Sequence, residues 1–246
     1  MSAALVLYRA SGAPLSTPFR PAALGQADPF AASREIAWQG NGGMSAGRLR
    51  LDGAFAIDIT RFPHQETLVV VQGELHVETE GAAPLVLKPD SGVVLTTGAA
   101  LRVSAPVPTL VVFCAADCPQ PVQPGVFPLV AEADFKPSAN SLPKEILLGP
   151  VPQCRSDNVV DETSIHAKIG TWDSTPYHRI VRAHPVNEFM HILDGGVRFA
   201  EPDGSVVAVE RGDAVFVPQG ASIGWESSER VAKFYVVQSV PAGEGK

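Results

Sequence analysis

Only three cysteines, Cys114, Cys118 and Cys154, occur in 246 residues. An odd number in a chain of this length argues against a disulfide framework. Cys114 and Cys118 have the spacing of a metal pair. No second Cys or His pair completes four ligands, so small buried or linker thiols are the simpler reading. A basic run is also missing. Net charge is −7, and no face combines Lys and Arg with interleaved aromatics, which leaves nucleic acid and anionic membrane surfaces as poor partners. No apolar stretch reaches the roughly 18 residues of a spanning helix, so no membrane partner is expected. The leading MSAALVLYRASGAP has a short apolar core and no basic flank. It is not read as a secretory signal, and the cytoplasm is the expected compartment. The glycines follow no short period, which removes collagen-like and low-complexity readings.

What the chain does have is a repeat. Pro63, Glu66, Gly73, Val93, Gly98 and Ala99 recur 122 residues later, without a gap, as Pro185, Glu188, Gly195, Val215, Gly220 and Ala221. Self-similarity at one offset implies two domains of about 120 residues each, an ordinary domain size. The expected division is 1–125, an N-terminal domain with an extended lead-in, and 126–246, a C-terminal domain with a Pro-rich bridge at its start. The 22 glycines and 22 prolines suit many short strands and turns rather than long helices. Strand-like runs such as TLVVVQGELHVETE, EFMHILDG and VAKFYVVQ are separated by turn residues about every 8–12 positions, the spacing of a sandwich or barrel. Prolines in the bridge, 117–152, forbid a central helix or strand there, with a single helical turn expected at AEADF.

The later copy carries Gly170-Thr171-Trp172, Glu188, Gly195, Gly212-Asp213, Pro218, Gly220, Trp225 and Lys233-Phe234-Tyr235. This series resembles the cupin superfamily. Within it, the closest likeness is to the cupins grouped with ureidoglycine aminohydrolase and the ethanolamine-utilisation proteins. The resemblance implies an all-β fold of two tandem double-stranded β-helix (jelly-roll) barrels, a bicupin. Sheet edges in such proteins are usually covered by pairing, so a homodimer is expected. The reaction does not follow, since the fold hosts enzymes, storage proteins and sensors alike.

Most of the family's metal-ligand positions are altered. Arg182 stands where the first histidine is usual and Ile223 where the last is, leaving His184 and Glu188. A guanidinium cannot coordinate a metal. No tightly bound metal is therefore expected. If one were held, His184, Glu188 and His178 would be the ligands, and manganese, nickel, iron or zinc the candidate ions.

Strand alternation places Arg182, His184, Glu188 and Met190 on one face if no bulge intervenes. On that basis Arg182 is expected to pair with a buried Glu188, replacing the metal as the fixed positive charge and offering spare donors to a small carboxylate or carbonyl ligand. His184 has three open readings: a residual metal ligand, a general base tuned by Glu188, or a core histidine with both nitrogens bonded. His184 and Glu188 are the catalytic candidates. The ligand-binding candidates are Arg182, Met190, Trp225, Tyr235 and Lys233. Trp225 and Tyr235 read as core or pocket wall. Lys233 reads as an outward lysine on a sheet edge, or paired with Glu226, with amine catalysis a remote alternative. The first barrel, with Thr60, Phe62, Glu66 and Leu68 at the matching positions and His64 beside Glu66, reads as a structural copy.

Three functions remain open on sequence alone. One is a metal-free module that captures a small-molecule ligand in the C-terminal barrel. Another is a metal-assisted enzyme acting on a small nitrogenous or carboxylated metabolite. The third is a scaffold with both barrels filled by side chains.

Overall fold

The computed structural model describes residues 3–40, 43–121, 123–138 and 142–240. These residues form 22 strands and two single-turn 3-10 helices, Lys144–Ile146 and Thr163–Ile165, with no α-helix. Among them no helix is long and apolar enough to cross a membrane. The turn expected at AEADF (131–135) is irregular, and the short helix forms further on at Lys144–Ile146. All three cysteines are free.

The chain divides into two compact units. In the N-terminal unit a seven-stranded sheet runs in the order Val126–Leu129, Ser91–Leu95, Gln65–Gln72, Thr109–Ala116, Ser45–Leu51, Arg34–Gln39, Arg20–Pro21. A four-stranded sheet of Phe55–Ile59, Leu101–Ala105, Leu75–Glu78 and Leu85–Leu87 accompanies it. The C-terminal unit repeats the plan. Its large sheet runs Leu5–Tyr8, Ala214–Val217, Asn187–Asp194, Val231–Gln238, Ala167–Ser174, Cys154–Glu162, Lys136–Pro137. Its small sheet runs Tyr177–Ala183, Ser222–Ser227, Gly196–Ala200, Val206–Glu210. In each unit the inner faces of the two sheets share one apolar core. Leu49, Val111 and Phe113 meet Ile59, Leu101 and Val103 in the first, and Met190, Ile192 and Val215 meet Val197, Phe199 and Ile223 in the second. Two antiparallel sheets around one core make a jelly-roll barrel.

The repeated glycines have a steric cause. Gly73 and Gly195 end matching strands at φ 81° and 68°. An added Cβ would lie 2.6 Å from the Pro108 carbonyl oxygen at the first and 2.1 Å from the Arg230 carbonyl oxygen at the second. Only glycine tolerates both the left-handed backbone and that approach.

The units do not divide at residue 125. Residues 3–15 belong to the C-terminal unit, and Val126–Leu129 belongs to the N-terminal one. Leu5 and Val6 pair with Phe216 and Val215, and Val126–Leu129 pairs with Gly92–Leu95. These two edge strands are related by nearly the same 122-residue offset as the rest of the repeat. The leading strand of each copy thus completes the sheet of the other. Edge pairing is made by backbone groups, which carry no memory of sequence distance. Asp213 of the Gly-Asp motif fastens the lead-in, accepting from the Arg9 guanidinium at 2.7 Å and from the Ala10 amide at 2.9 Å. Pro128 sits on an outer strand, where its missing N–H does no harm.

Candidate functional site

A cavity of about 550 Å³ opens in the C-terminal unit. Ser156, Trp172, Tyr177, Arg179, His184, Glu188, Trp225, Lys233 and Tyr235 are on its wall. Glu188 lies on Asn187–Asp194 and Lys233 on the neighbouring Val231–Gln238. Lys233 is 4% exposed, and its Nζ donates to Glu188 Oε1 at 2.7 Å. The ammonium also lies 4.6 Å and 4.9 Å from the ring centroids of Trp172 and Trp225, within cation–π range. The other carboxylate oxygen, Oε2, is 2.9 Å from His184 Nε2. Burial alone would raise the Glu188 pKa, but Lys233 and His184 outweigh it and hold the carboxyl well below the usual range. An ionised carboxylate can only accept, so His184 Nε2 carries the hydrogen of that bond. Its Nδ1 is buried without a partner. The reading of His184 as a core histidine with both nitrogens satisfied therefore does not hold.

Several sequence expectations are corrected here. Arg182 does not hold Glu188; it is half-buried, off the cavity wall, and the carboxylate's cation is Lys233. The two lie on different sheets, Arg182 on Tyr177–Ala183 of the small one and Glu188 on Asn187–Asp194 of the large one, so strand alternation does not run from one to the other. A β-bulge also separates Arg182 from Arg179. Arg179 pairs with Trp225 and Arg182 with Ile223, so three steps on one strand face two on the other. A bulge of this kind reverses the alternation of facing, and Arg179 turns inward at 6% exposure. Its Nε and Nη2 are buried and meet no acceptor. Lys233 points inward, not outward, and Glu226 pairs instead with Arg198 at 3.4 Å. Met190 is fully buried in the apolar core rather than on the cavity wall. His178 is exposed and off the wall.

Trp225 and Tyr235 do line the cavity. The Trp225 ring stacks on Tyr177 at 5.3 Å between centroids, and its indole N–H donates to Ser227 Oγ at 3.3 Å. The Tyr235 hydroxyl bonds the Asn158 carboxamide oxygen, and burial pushes its pKa up. Sequence reasoning missed Arg179, Tyr177 and Ser156. For Lys233 a signal existed: Val231, Lys233 and Tyr235 alternate on one face, so a lysine two residues from a wall residue shares that wall.

The cavity does not suit the metal common in this kind of fold. It presents one imidazole and one nearby carboxylate, whose oxygens are taken by Lys233 and His184. The expected third donor, His178, is turned away. Among the described residues no group of three or more His, Cys, Asp or Glu could hold a metal ion. A lysine and an arginine on the same wall add repulsion.

The corresponding region of the N-terminal unit is differently built. Arg34, 1% exposed, donates to Glu66 Oε1 at 2.6 Å and Oε2 at 3.1 Å. It also grips Asp28 through Nε at 2.7 Å and Nη2 at 2.9 Å. Its guanidinium carbon lies 4.3 Å from the Phe113 ring centroid. His64 Nε2 is 2.8 Å from Glu66 Oε2. Burial pushes the Glu66 pKa up, yet Arg34 and His64 bring it below the usual value. The guanidinium–carboxylate pair expected at Arg182 and Glu188 thus exists in the other barrel, at Arg34 and Glu66. The residue 122 positions after Arg34 is Ser156, on the wall of the open cavity.

Two jelly-roll barrels in tandem, one holding a charged cavity, define a bicupin. A family model for the EutQ-like cupin domain matches residues 163–235. A structure of a protein of unknown function from Pseudomonas syringae pv. tomato, of the DUF861 family, is 33% identical. It covers 97% of this chain and 100% of its own, with a TM-score of 0.89. The chain belongs to the cupin superfamily, in the DUF861 family of that relative. More distant structures agree on fold alone. A cupin 2 barrel protein from Leptotrichia buccalis is 10% identical, over 83% of this chain and 87% of its own, at TM-score 0.57. Salicylate 1,2-dioxygenase from Pseudoaminobacter salicylatoxidans is 13% identical, over 87% and 76%, at TM-score 0.51. No curated protein matches the chain.

Proposed function

We propose that this bicupin binds a small polar metabolite in its C-terminal barrel without the help of a bound metal. One observation carries the reading. A cavity of about 550 Å³, within the roughly 300–1,000 Å³ of known ligand sites, is walled by buried polar groups that the N-terminal barrel replaces with Phe62, Val111 and Phe113. A wall of this kind is costly to leave empty and costly to fill with hydrocarbon. The N-terminal barrel is read as the structural copy. A cavity of about 340 Å³ opens near its His64 and Asp28, but both are already bonded within the Arg34 cluster.

A second reading has a specific observation in its favour. His184 is oriented by Glu188 through Nε2 and keeps Nδ1 unpartnered. That is the arrangement of a general base held by a carboxylate. On this reading the bound metabolite is also a substrate, and the series from Gly170-Thr171-Trp172 to Lys233-Phe234-Tyr235 resembles that of the ureidoglycine aminohydrolase-like cupins.

The test is a thermal-shift screen of the full-length protein against a metabolite library, with metal analysis of the same preparation. A true ligand raises the midpoint saturably, by mass action. The matching control is Ser156→Arg, which introduces the arginine of the other barrel into the cavity. The shift is expected in the wild type and lost in Ser156→Arg. Equal shifts in both would remove the site from this cavity, and stoichiometric metal would remove the metal-free reading.

A further inference from the structure

We infer that the ligand of this cavity is a small organic carboxylate paired with the guanidinium of Arg179, whose Nε and Nη2 find no acceptor in the protein. The inference rests on the C-terminal barrel being a binding site and adds the chemistry of its occupant.

Arg179 lines the cavity and is 6% exposed, yet its Nε and Nη2 meet no acceptor. A buried guanidinium with unpaired donors is among the least favourable arrangements a protein interior can hold. No internal group relieves it. Both oxygens of Glu188 are committed to Lys233 and His184, and no bond joins Arg179 to Asp157, the other acid on the wall.

The unpaired edge is also the informative one. Nε and Nη2 present two parallel N–H groups at the spacing of two carboxylate oxygens. Among the described residues the same edge is used three times elsewhere, each time for a carboxylate. Arg34 holds Asp28 through Nε and Nη2 at 2.7 Å and 2.9 Å, and Arg155 and Arg230 both hold Asp173 through the same two nitrogens. The charge of the wall agrees. Lys136, Lys168, Arg179 and Lys233 stand against Asp157 and Glu188. Even with Lys168 paired to Asp161 at 3.3 Å, the balance is positive. The aromatic rings of Tyr177 and Trp225 offer an apolar surface to the body of such an acid.

The experiment is calorimetric titration and thermal shift of the full-length protein with paired probes. Benzoate, phenylacetate and succinate are each set beside the neutral amide, with inorganic phosphate and sulfate as further anions. At least one carboxylate is expected to bind about tenfold or more tightly than its amide. Arg179→Met is expected to erase that preference without lowering the midpoint of the free protein, because it removes an unpaired charge. Arg179→Lys keeps the charge but loses the two-point grip, and is expected to weaken the carboxylate by about tenfold.

Four results would overturn the assignment. They are equal binding of acid and amide, undiminished carboxylate binding by Arg179→Met, preference for phosphate or sulfate, and a destabilised Arg179→Met that still binds the acid. Each of these leaves the cavity standing as a binding site. Failure of every probe, together with failure of the metabolite library, would take both readings down.

Discussion

The two barrels share a fold, a register of repeated glycines and a buried glutamate, and they solve the problem of that glutamate in opposite ways. In the N-terminal barrel Arg34 reaches Glu66 from a strand three places along the same sheet, takes Asp28 as well, and lies against Phe113. The side chains of the cluster are buried and paired with one another. In the C-terminal barrel the position of Arg34 is Ser156, the position of Phe62 is His184 and the position of Val111 is Lys233. Glu188 is then satisfied by a lysine from one side and a histidine from the other, and the space vacated by the arginine is open. The exchange of a large cation for a small hydroxyl is one of the differences that set the two barrels apart.

The largest expected effect is on the filled side. Arg34→Met leaves Asp28 and Glu66 buried without their cation, and breaking a buried ion pair from one end costs about 3–5 kcal/mol. Urea unfolding is the measurement. A loss under about 1 kcal/mol would mean that the cluster does not hold the barrel together. On the open side Lys233→Met is expected to cost less, roughly 2–3 kcal/mol, because His184 still bonds Glu188 and the cavity can admit water. Adding Glu188→Gln to Lys233→Met should recover part of that loss. A double variant no better than the single one would show that the pair is not coupled.

Acid should act on both barrels in the same direction. Glu66 and Glu188 both have folded pKa values below their ordinary value of 4.5. Their contribution is then fully present above pH 4.5 and is lost as pH falls below it toward the folded values. Denaturation midpoints at a series of pH values from neutrality to pH 3 would read this out, with Glu188→Gln expected to flatten the decline. A profile unchanged by Glu188→Gln would place the acid sensitivity elsewhere. The smallest effect is expected from Arg182→Ala, within about 0.5 kcal/mol and without influence on any ligand. A strong effect on binding would return Arg182 to the site.

Much of this was readable in advance, for definite reasons. Alternation placed Glu188 inside because its strand is regular from Asn187 to Ile192. It failed at Arg182 because the chain passes from the small sheet to the large one between Arg182 and Glu188, and it missed Arg179 because YHRIVRA carries no mark of the bulge between Arg179 and Arg182. Lys233 was misread from its residue type rather than its period. Two wall aromatics, Trp172 and Trp225, and the carboxylate of Glu188 make an interior position tolerable for an ammonium, and these arrive from three other strands.

The linear order of residues determined the duplication, the β architecture and the glycines at the strand ends, because each depends on local periodicity or on a conformation open to one residue type. Tertiary structure alone decided which arginine faces the cavity, which cation neutralises each buried glutamate, and which barrel each leading strand completes. Those outcomes depend on pairings between residues far apart in the chain, and a one-residue change of register in a strand exchanges every side chain on its two faces.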